Sequence, residues 1–176
     1  MNKFISLIMV VCLLFLSACA IVKTDDIRIT ADVDPKANFS AYKTYAWLGS
    51  ATILKDPDGR WKPPSFDADS EIKYLIDREL RKRGMNESSV QPDMIIAFAL
   101  GLDMDALQLK VDQKSKLGTL ENVPKGALVI VAVDSSSGFV IWIAEARANL
   151  QQDVSSEESK KRLDYAISEM IDKMPR

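Results

Sequence analysis

The chain has 176 residues, a formal net charge of −2 and no histidine. Without histidine it cannot hold a Ser-His-Asp or Cys-His nucleophile system, and it lacks the commonest metal ligand. The mild charge and the absence of a basic stripe argue against a nucleic-acid-binding protein, and the length suits one domain.

The first residues form an apolar leader. A basic residue, Lys3, precedes an apolar run from Phe4 to Val22 that two serines interrupt. Small residues, Ser17 and Ala18, lie near the end of the run, as they do in a secretory signal. The alternative is an uncleaved membrane anchor, because the run is nearly long enough to span a bilayer.

The letters LSAC at residues 16–19 favour the signal, because they resemble the bacterial lipobox. The resemblance implies that Cys19 receives a diacylglycerol, that the leader is cut before it, and that the new amino terminus is acylated, usually with palmitate. Several acyl chains hold a protein firmly, at about 0.8 kcal/mol per buried methylene. Ala20 stands where an aspartate would signal inner-membrane retention, which favours the outer membrane, facing the periplasm, in a Gram-negative cell.

The predicted organisation is a lipoprotein signal peptide at residues 1–18, a lipidated tether at residues 19–26 and a single α/β domain at residues 27–176. Cleavage removes Cys12, and Cys19 carries lipid, so the mature chain would form neither a disulfide nor a thiolate zinc site. A tether of this length reaches at most about 25 Å, so the domain would stay beside the membrane.

The domain begins with predicted strands. IRITADVD (27–34) alternates apolar and polar residues, which is typical of a half-buried strand, and KTYAWL (43–48) predicts a second. Residues 49–66 contain three prolines and two glycines, and this composition predicts a loop.

Residues 67–83 give the clearest helix signal. The segment has an apolar stripe, acidic residues in its first turn and basic residues in its last, and Gly84 follows as a stop. The stripe consists of Ile72, Leu75, Ile76 and Leu80.

Three apolar runs then predict the centre of a sheet. DMIIAFAL (93–100) indicates a buried strand, and LQLKVD (107–112) indicates either another strand or its extension beyond a kink at Gly101. The runs ALVIVAV and FVIWIAEARA flank the turn at residues 134–138 and predict a hairpin.

A final helix is predicted after Ser155, which forms a capping box with Glu158. Apolar residues recur behind this cap at helical spacing, and Pro175 ends the pattern. The order of elements predicts an α+β fold, a mainly antiparallel sheet with two helices packed on one face.

Several segments together resemble a family of bacterial lipoproteins described as a domain of unknown function, DUF4136. They are Cys19 at the start, NFSAYKTYAWLG at residues 38–49, IDRELRKRGM before QPDMIIAFAL, and the hairpin with its final helix. The most distinctive residues are Phe39, Tyr42, Lys43, Thr44, Tyr45, Trp47, Gly84, Pro92, Asp93, Asp134 and Trp142. The resemblance implies an envelope lipoprotein with an α/β sheet domain and supplies no catalytic residue.

The short polar motifs give little support for catalysis or metal binding. Ser70 and Lys73 match the S-x-x-K of penicillin-binding enzymes, but the S-D-N and K-T-G elements are absent. DPDG at residues 56–59 suits a turn, and it lacks the further oxygens of a calcium loop, as does the pair Asp103 and Asp105. The basic run at residues 81–83 suits a helix C-terminus, with contact to anionic lipid headgroups as the alternative.

Strands of the central sheet are apolar on both faces, and two helices cover only one face. We therefore predict that the loop at residues 50–66 lies over part of the second face, and that the remainder is a groove for a partner or a hydrophobic ligand. The residues predicted for this binding face are Trp61, Phe66, Val129, Val131, Val133 and Trp142.

The sequence favours a non-enzymatic, lipid-anchored envelope protein that binds or scaffolds another envelope protein through the second sheet face or a strand edge. No catalytic residue, cofactor, metal or nucleic acid is predicted. One alternative is a carrier of a small hydrophobic ligand, which would need an enclosed cavity. The other is a hydrolase that uses Asp93, Asp103 and Asp134, which would need converging carboxylates with a raised pKa.

Overall fold

The computed structural model describes residues 22–54, 65–111, 118–148 and 154–176, with the backbone alone at 51–54, 102–111 and 118–127. Its centre is a six-stranded sheet in the order β1-β6-β5-β4-β2-β3. The strands are β1 (Arg28–Val33), β2 (Thr44–Leu54), β3 (Asn86–Glu87), β4 (Met94–Val111), β5 (Gly118–Asp134) and β6 (Val140–Arg147).

The sheet is mixed. β1, β6, β5 and β4 pair antiparallel in series, whereas β2 pairs parallel with both β4 and β3. The parallel pair needs a crossover, and helix α1 (Ala68–Lys82) supplies it. The predicted α+β class is confirmed, with the parallel pairings as a refinement.

Each helix begins after a capping residue, and the predicted cap at Ser155 is confirmed. Asp67 accepts a hydrogen bond from the N–H of Ser70 at the start of α1, and Ser155 accepts one from the N–H of Glu158 at the start of α2 (Ser156–Asp172). The apolar stripes of both helices pack on one face of the sheet in a single core.

That helix-side core contains the largest buried side chains. Trp142 and Tyr45 are fully buried there, between the strands and the stripes of α1 and α2. Burial of side chains of this size dominates the stability of a small domain.

The predicted loop at 49–66 is wrong over its first six residues, because β2 continues to Leu54. A bulge between Trp47 and Gly49 leaves Leu48 unmatched, and Gly49 has φ +145°, a conformation that glycine tolerates. Pairing with β4 from Ala97 onward then holds the strand, so tertiary contacts override the glycine. The predicted extension of β4 beyond Gly101 is confirmed.

The strands define two ends of the domain. The proximal end is where the chain enters β1, and Arg28 pairs there with Arg147. The distal end holds the starts of β2 and β4 and the end of β5, at Asp134. The β4–β5 hairpin extends past the proximal end, because its ladder continues beyond the row of Leu100 and Leu128.

Candidate functional site

Asp93 joins β2 to β4 at the distal end. Its Oδ2 atom accepts hydrogen bonds from the N–H groups of Lys43 and Thr44, both at 2.8 Å, and from the Thr44 hydroxyl at 2.9 Å. These donors, led by the Lys43 N–H, hold the pKa of Asp93 below its usual range. The charged carboxylate of Asp93 therefore links two parallel strands through hydrogen bonds.

Asp134 holds the β5–β6 turn in the same region. Its Oδ1 atom accepts hydrogen bonds from the N–H and hydroxyl groups of Ser136 and Ser137, and Oδ2 accepts one from the Tyr42 hydroxyl at 3.0 Å. Burial raises the pKa of Asp134, but these bonds outweigh it and lower the pKa to about 2. Burial and the bond to Asp134 raise the pKa of Tyr42 to about 12.

The two distal carboxylates oppose the hydrolase alternative. Both Asp93 and Asp134 have lowered pKa values, whereas a general acid needs a raised one. The Asp103 side chain lies outside the described residues. Where side chains are described, no three or more His, Cys, Asp or Glu residues could together hold a metal ion.

The predicted binding face is divided between the two sides of the sheet. Val129, Val131 and Val133 lie on the second face, in a cluster with residues that include Val140 and Ile143. Trp142 lies in the helix-side core, so its assignment to the binding face is corrected. The physical reason is strand register: Trp142 pairs with Ala132, and a bulge next to that pair places Val140 opposite Val133.

The valines predicted for the binding face are largely buried. Val129 is 0% exposed and Val131 is 8% exposed. Val133 and Ile95 are half-buried.

Phe66 does not lie over the valines. The Nζ atom of Lys160, in α2, is 5.2 Å from the centre of the Phe66 ring, and the adjacent Ser65 hydroxyl is hydrogen-bonded to that of Ser156. Phe66 is therefore on the helix side of the sheet, because α1 and α2 both pack there. Trp61 lies outside the described residues.

The proximal end holds an ion pair that ties the N-terminal segment to α2. Arg162 donates from Nη1 to Oδ1 of Asp26 at 2.9 Å and from Nη2 to Oδ2 at 2.8 Å, and it also donates to the Lys23 carbonyl. The two side chains are only 10% and 8% exposed. We call this contact the Arg162 clamp. Cys19 lies outside the described residues.

Sequence reasoning did not identify the Arg162 clamp. A signal was present, because Arg162 precedes Ala166 and Met170 at intervals of four and so lies on the apolar stripe of α2. A charged residue in that position usually has a partner. Nothing local indicates that the partner is Asp26.

The basic run at residues 81–83 is distal. Arg83 donates to the carbonyl groups of Ile171, Met174 and Pro175, and so caps the C-terminal end of α2. Burial lowers the pKa of Arg83. The sequence predicts that this run ends a helix. In the structure its last residue, Arg83, also caps the second helix, which is a structural role.

No helix in the described part of the chain is both long and apolar enough to cross a bilayer. No curated protein matches the sequence. Among solved structures, a DUF4136 family protein from Bacteroides thetaiotaomicron is similar, with 11% identity and a TM-score of 0.56 over 84% of this chain and 95% of that one. Identity this low shows the fold alone.

Two further structures are similar at lower TM-scores. A PDZ domain protein from Parabacteroides distasonis has 14% identity and a TM-score of 0.46 over 86% of this chain, which spans only 37% of that protein. A PelC dodecamer from Paraburkholderia phytofirmans has 14% identity and a TM-score of 0.44, with 84% and 99% covered. The model of the domain of unknown function DUF4136 matches residues 29–176, and the chain belongs to that family.

Proposed function

We propose that this protein is a lipid-anchored lipoprotein of the bacterial cell envelope and a non-enzymatic binding module that works beside the membrane. The observation that carries the proposal is the LSAC motif, which ends in Cys19 after an apolar leader. The lipid on Cys19 would hold the domain on the outer membrane, facing the periplasm, in a Gram-negative cell.

The Arg162 clamp supports a position close to the membrane. It fixes Lys23, which follows Cys19 by four residues. Four extended residues reach at most about 14 Å. A domain clamped at this point would stay nearer the lipid than the full predicted tether allows.

The distal carboxylates argue against a catalytic role for Asp93 and Asp134. Asp93 and Asp134 are occupied by several donors each, and both stay charged because their pKa values are lowered. Their hydrogen bonds hold turns and strand ends together, which is a structural role.

The outer edge of β2 is the surface that best suits a protein partner. β3 covers only Thr44 and Tyr45, so the remainder of β2 has no second strand partner among the described residues. Leu48, at the bulge, is 71% exposed. An uncovered edge offers backbone donors and acceptors to an added strand, and Leu48 offers apolar area beside it. We therefore assign the envelope partner to this edge.

The carrier alternative receives less support. A carrier would need an enclosed apolar cavity, whereas Val129 and Val131, at the centre of the second face, pack in a cluster with other apolar side chains.

Metabolic labelling with an alkyne analogue of palmitate tests the anchor. We expect Cys19→Ser to lose the label, because it removes the thioether site. Cys12→Ser is the matched control and should keep the label, because it lies in the part of the leader that is removed. Equal labelling of the Cys19→Ser variant would overturn the proposal.

Photo-crosslinking in cells tests the β2 edge. A crosslinking amino acid at position 48 should give a discrete adduct with one envelope protein, and a second substitution, Ser50→Pro, should abolish that adduct. Val90 is 76% exposed and provides the matched control position, where no such adduct is expected. The same adducts at positions 48 and 90 would argue against a specific edge.

A further inference from the structure

A shallow cavity opens on the second face of the sheet at its proximal end. Its volume is about 320 Å³, and it lies between β1 and β6. Arg28 and Thr30 line one side, Glu145 and Arg147 line the other, and Ile143 contributes apolar surface. The cavity is built from two paired strands, so its shape is fixed by the sheet.

Two guanidinium groups share this cavity. Arg28 and Arg147 are direct partners in the β1–β6 register. Like charges that face each other across a strand pair repel, and the repulsion is relieved by an anion between them. Arg147 has a carboxylate neighbour, since its Nε atom donates to Glu145 at 2.7 Å. Arg28 is exposed and has no ion pair within the described part of the chain.

The other charged group around the cavity is Asp32. It pairs with Ile143, four residues along β1 from Arg28, so the carboxylate belongs to the distal side of the cavity. Glu145 is buried and faces Arg147. Arg28, which has no ion pair among the described residues, therefore lies on the side where the chain enters the domain.

The position of the proposed lipid anchor indicates which anion would bind. The clamp fixes Lys23, so a lipid on Cys19 would bring the proximal end of the sheet to the depth of the headgroups. Headgroup phosphates lie at that depth, and each arginine near an anionic membrane surface strengthens the attraction to it. A guanidinium pair also matches phosphate geometry better than lysine does.

We propose that Arg28 and Arg147 form a docking site for the phosphate of an anionic phospholipid headgroup, with the apolar surface of Ile143 beside it. The site rests on the proposed lipid anchor and adds an orientation to it. The proximal end, with the β4–β5 hairpin, faces the bilayer, and the distal Asp93–Asp134 end faces away.

The test uses the lipidated mature protein in vesicles of phosphatidylcholine, with or without phosphatidylglycerol. The intact mass is measured first, so a failure of lipidation is recognised separately from a failure of the headgroup site. Once Cys19 is lipidated and the leader is gone, Ala148→Cys provides the single thiol for a fluorophore at the proximal end. Lys173→Cys provides one at the distal end. Quenching by a headgroup-linked quencher reports which end is near the bilayer.

We expect phosphatidylglycerol to increase quenching at position 148 and to leave position 173 unchanged. Arg28→Gln should weaken the apparent affinity for phosphatidylglycerol about fivefold. Arg28→Lys should retain part of it, because the charge remains. Arg147→Gln should have a similar effect, but it leaves Glu145 buried without its partner, so Arg28→Gln is the decisive variant.

Arg81→Gln is the matched control, because Arg81 is also exposed but lies at the distal end. It should behave as the native protein does. Quenching that does not depend on phosphatidylglycerol, an Arg28→Gln variant equal to native, or an equal loss in Arg81→Gln would each overturn the site.

Discussion

The two ends of the sheet use aspartates in different ways. At the distal end, Asp93 and Asp134 accept hydrogen bonds from backbone and hydroxyl groups that belong to the sheet and its turns. At the proximal end, Asp26 pairs with the Arg162 guanidinium on a helix, and the residues it holds form the entry to the domain. The distal aspartates therefore hold the sheet and its turns together, whereas the proximal one holds a segment outside the sheet. We therefore expect mutations at the distal end to lower the stability of the whole domain, and mutations at the proximal end to affect mainly the segment before β1.

Asp93→Ala should have the largest effect. It removes the acceptor of three hydrogen bonds and leaves the Thr44 N–H without a partner at the β2–β4 junction. We expect a loss of about 3 kcal/mol. For a chain of this length, this corresponds to a decrease in Tm of about 6–12 °C.

Thermal denaturation followed by circular dichroism measures this change. Asp25→Ala is the control, because Asp25 is exposed, and its Tm should differ little from native. A Tm for Asp93→Ala within about 2 °C of native would show that the carboxylate does not hold the strands together.

Asp26→Ala should act locally. A broken buried ion pair costs about 3–5 kcal/mol when the site stays closed. The segment before β1 can instead detach and let water reach Arg162, so we expect a global loss of only about 1–2 kcal/mol. The segment around the Lys23–Thr24 bond would then be free to enter a protease active site, and its cleavage by trypsin should accelerate about tenfold.

Limited proteolysis with mass spectrometry measures this cleavage against the Asp25→Ala control. If both variants were cut at the native rate, the clamp would not control the segment. If Asp26→Ala lowered Tm as much as Asp93→Ala, the distinction between the two ends would fail.

Local patterns in the sequence predict the helices well and the pairing of distant parts poorly. Asp67 and Ser155 act within one turn, so both helix starts are correctly predicted. Alternation also sorts each strand into two faces. It does not say which face of β5 continues onto which face of β6, because register and a bulge decide that. The assignment of Trp142 to the face of the valines failed for this reason.

Other misses have the same origin. β2 continues beyond Gly49 because β4 pairs with it on both sides of that residue. This long-range pairing cannot be inferred from the residues that neighbour Gly49 in the sequence. The Arg162 clamp joins residues 136 positions apart, and many acidic residues were equally available as partners. At the distal end, Tyr42, Thr44, Asp93 and Asp134 are among the residues that carried the family resemblance, but the sequence did not predict the hydrogen bonds between them.

Asp134→Asn should change how stability depends on pH. The folded-state pKa is about 2, below the ordinary value of 3.8, so the charged form is favoured by folding. The contribution is fully present above pH 3.8 and is lost as pH falls through 2. Partial exposure reduces it to about 1 kcal/mol.

Urea denaturation at a series of pH values between 5 and about 2 measures this dependence. The native protein should lose stability more steeply than Asp134→Asn over the lower part of this range. Parallel curves for the two proteins would mean that Asp134 gains nothing from its charge in the folded state.

Tyr42→Phe should have the smallest effect, because it removes one hydrogen bond, the one from the Tyr42 hydroxyl to Asp134 at 3.0 Å. We expect a loss of about 0.5 kcal/mol, because the bond is partly exposed to water. It should also raise the pKa of Asp134, since that hydroxyl is one of the donors that lower it. A double-mutant cycle with Asp134→Asn isolates the pair, and the two losses should be less than additive because they share one bond. Additive losses would show that the distal end is a set of independent contacts, and the steeper acid response expected of Asp134 would then come from its serine donors alone.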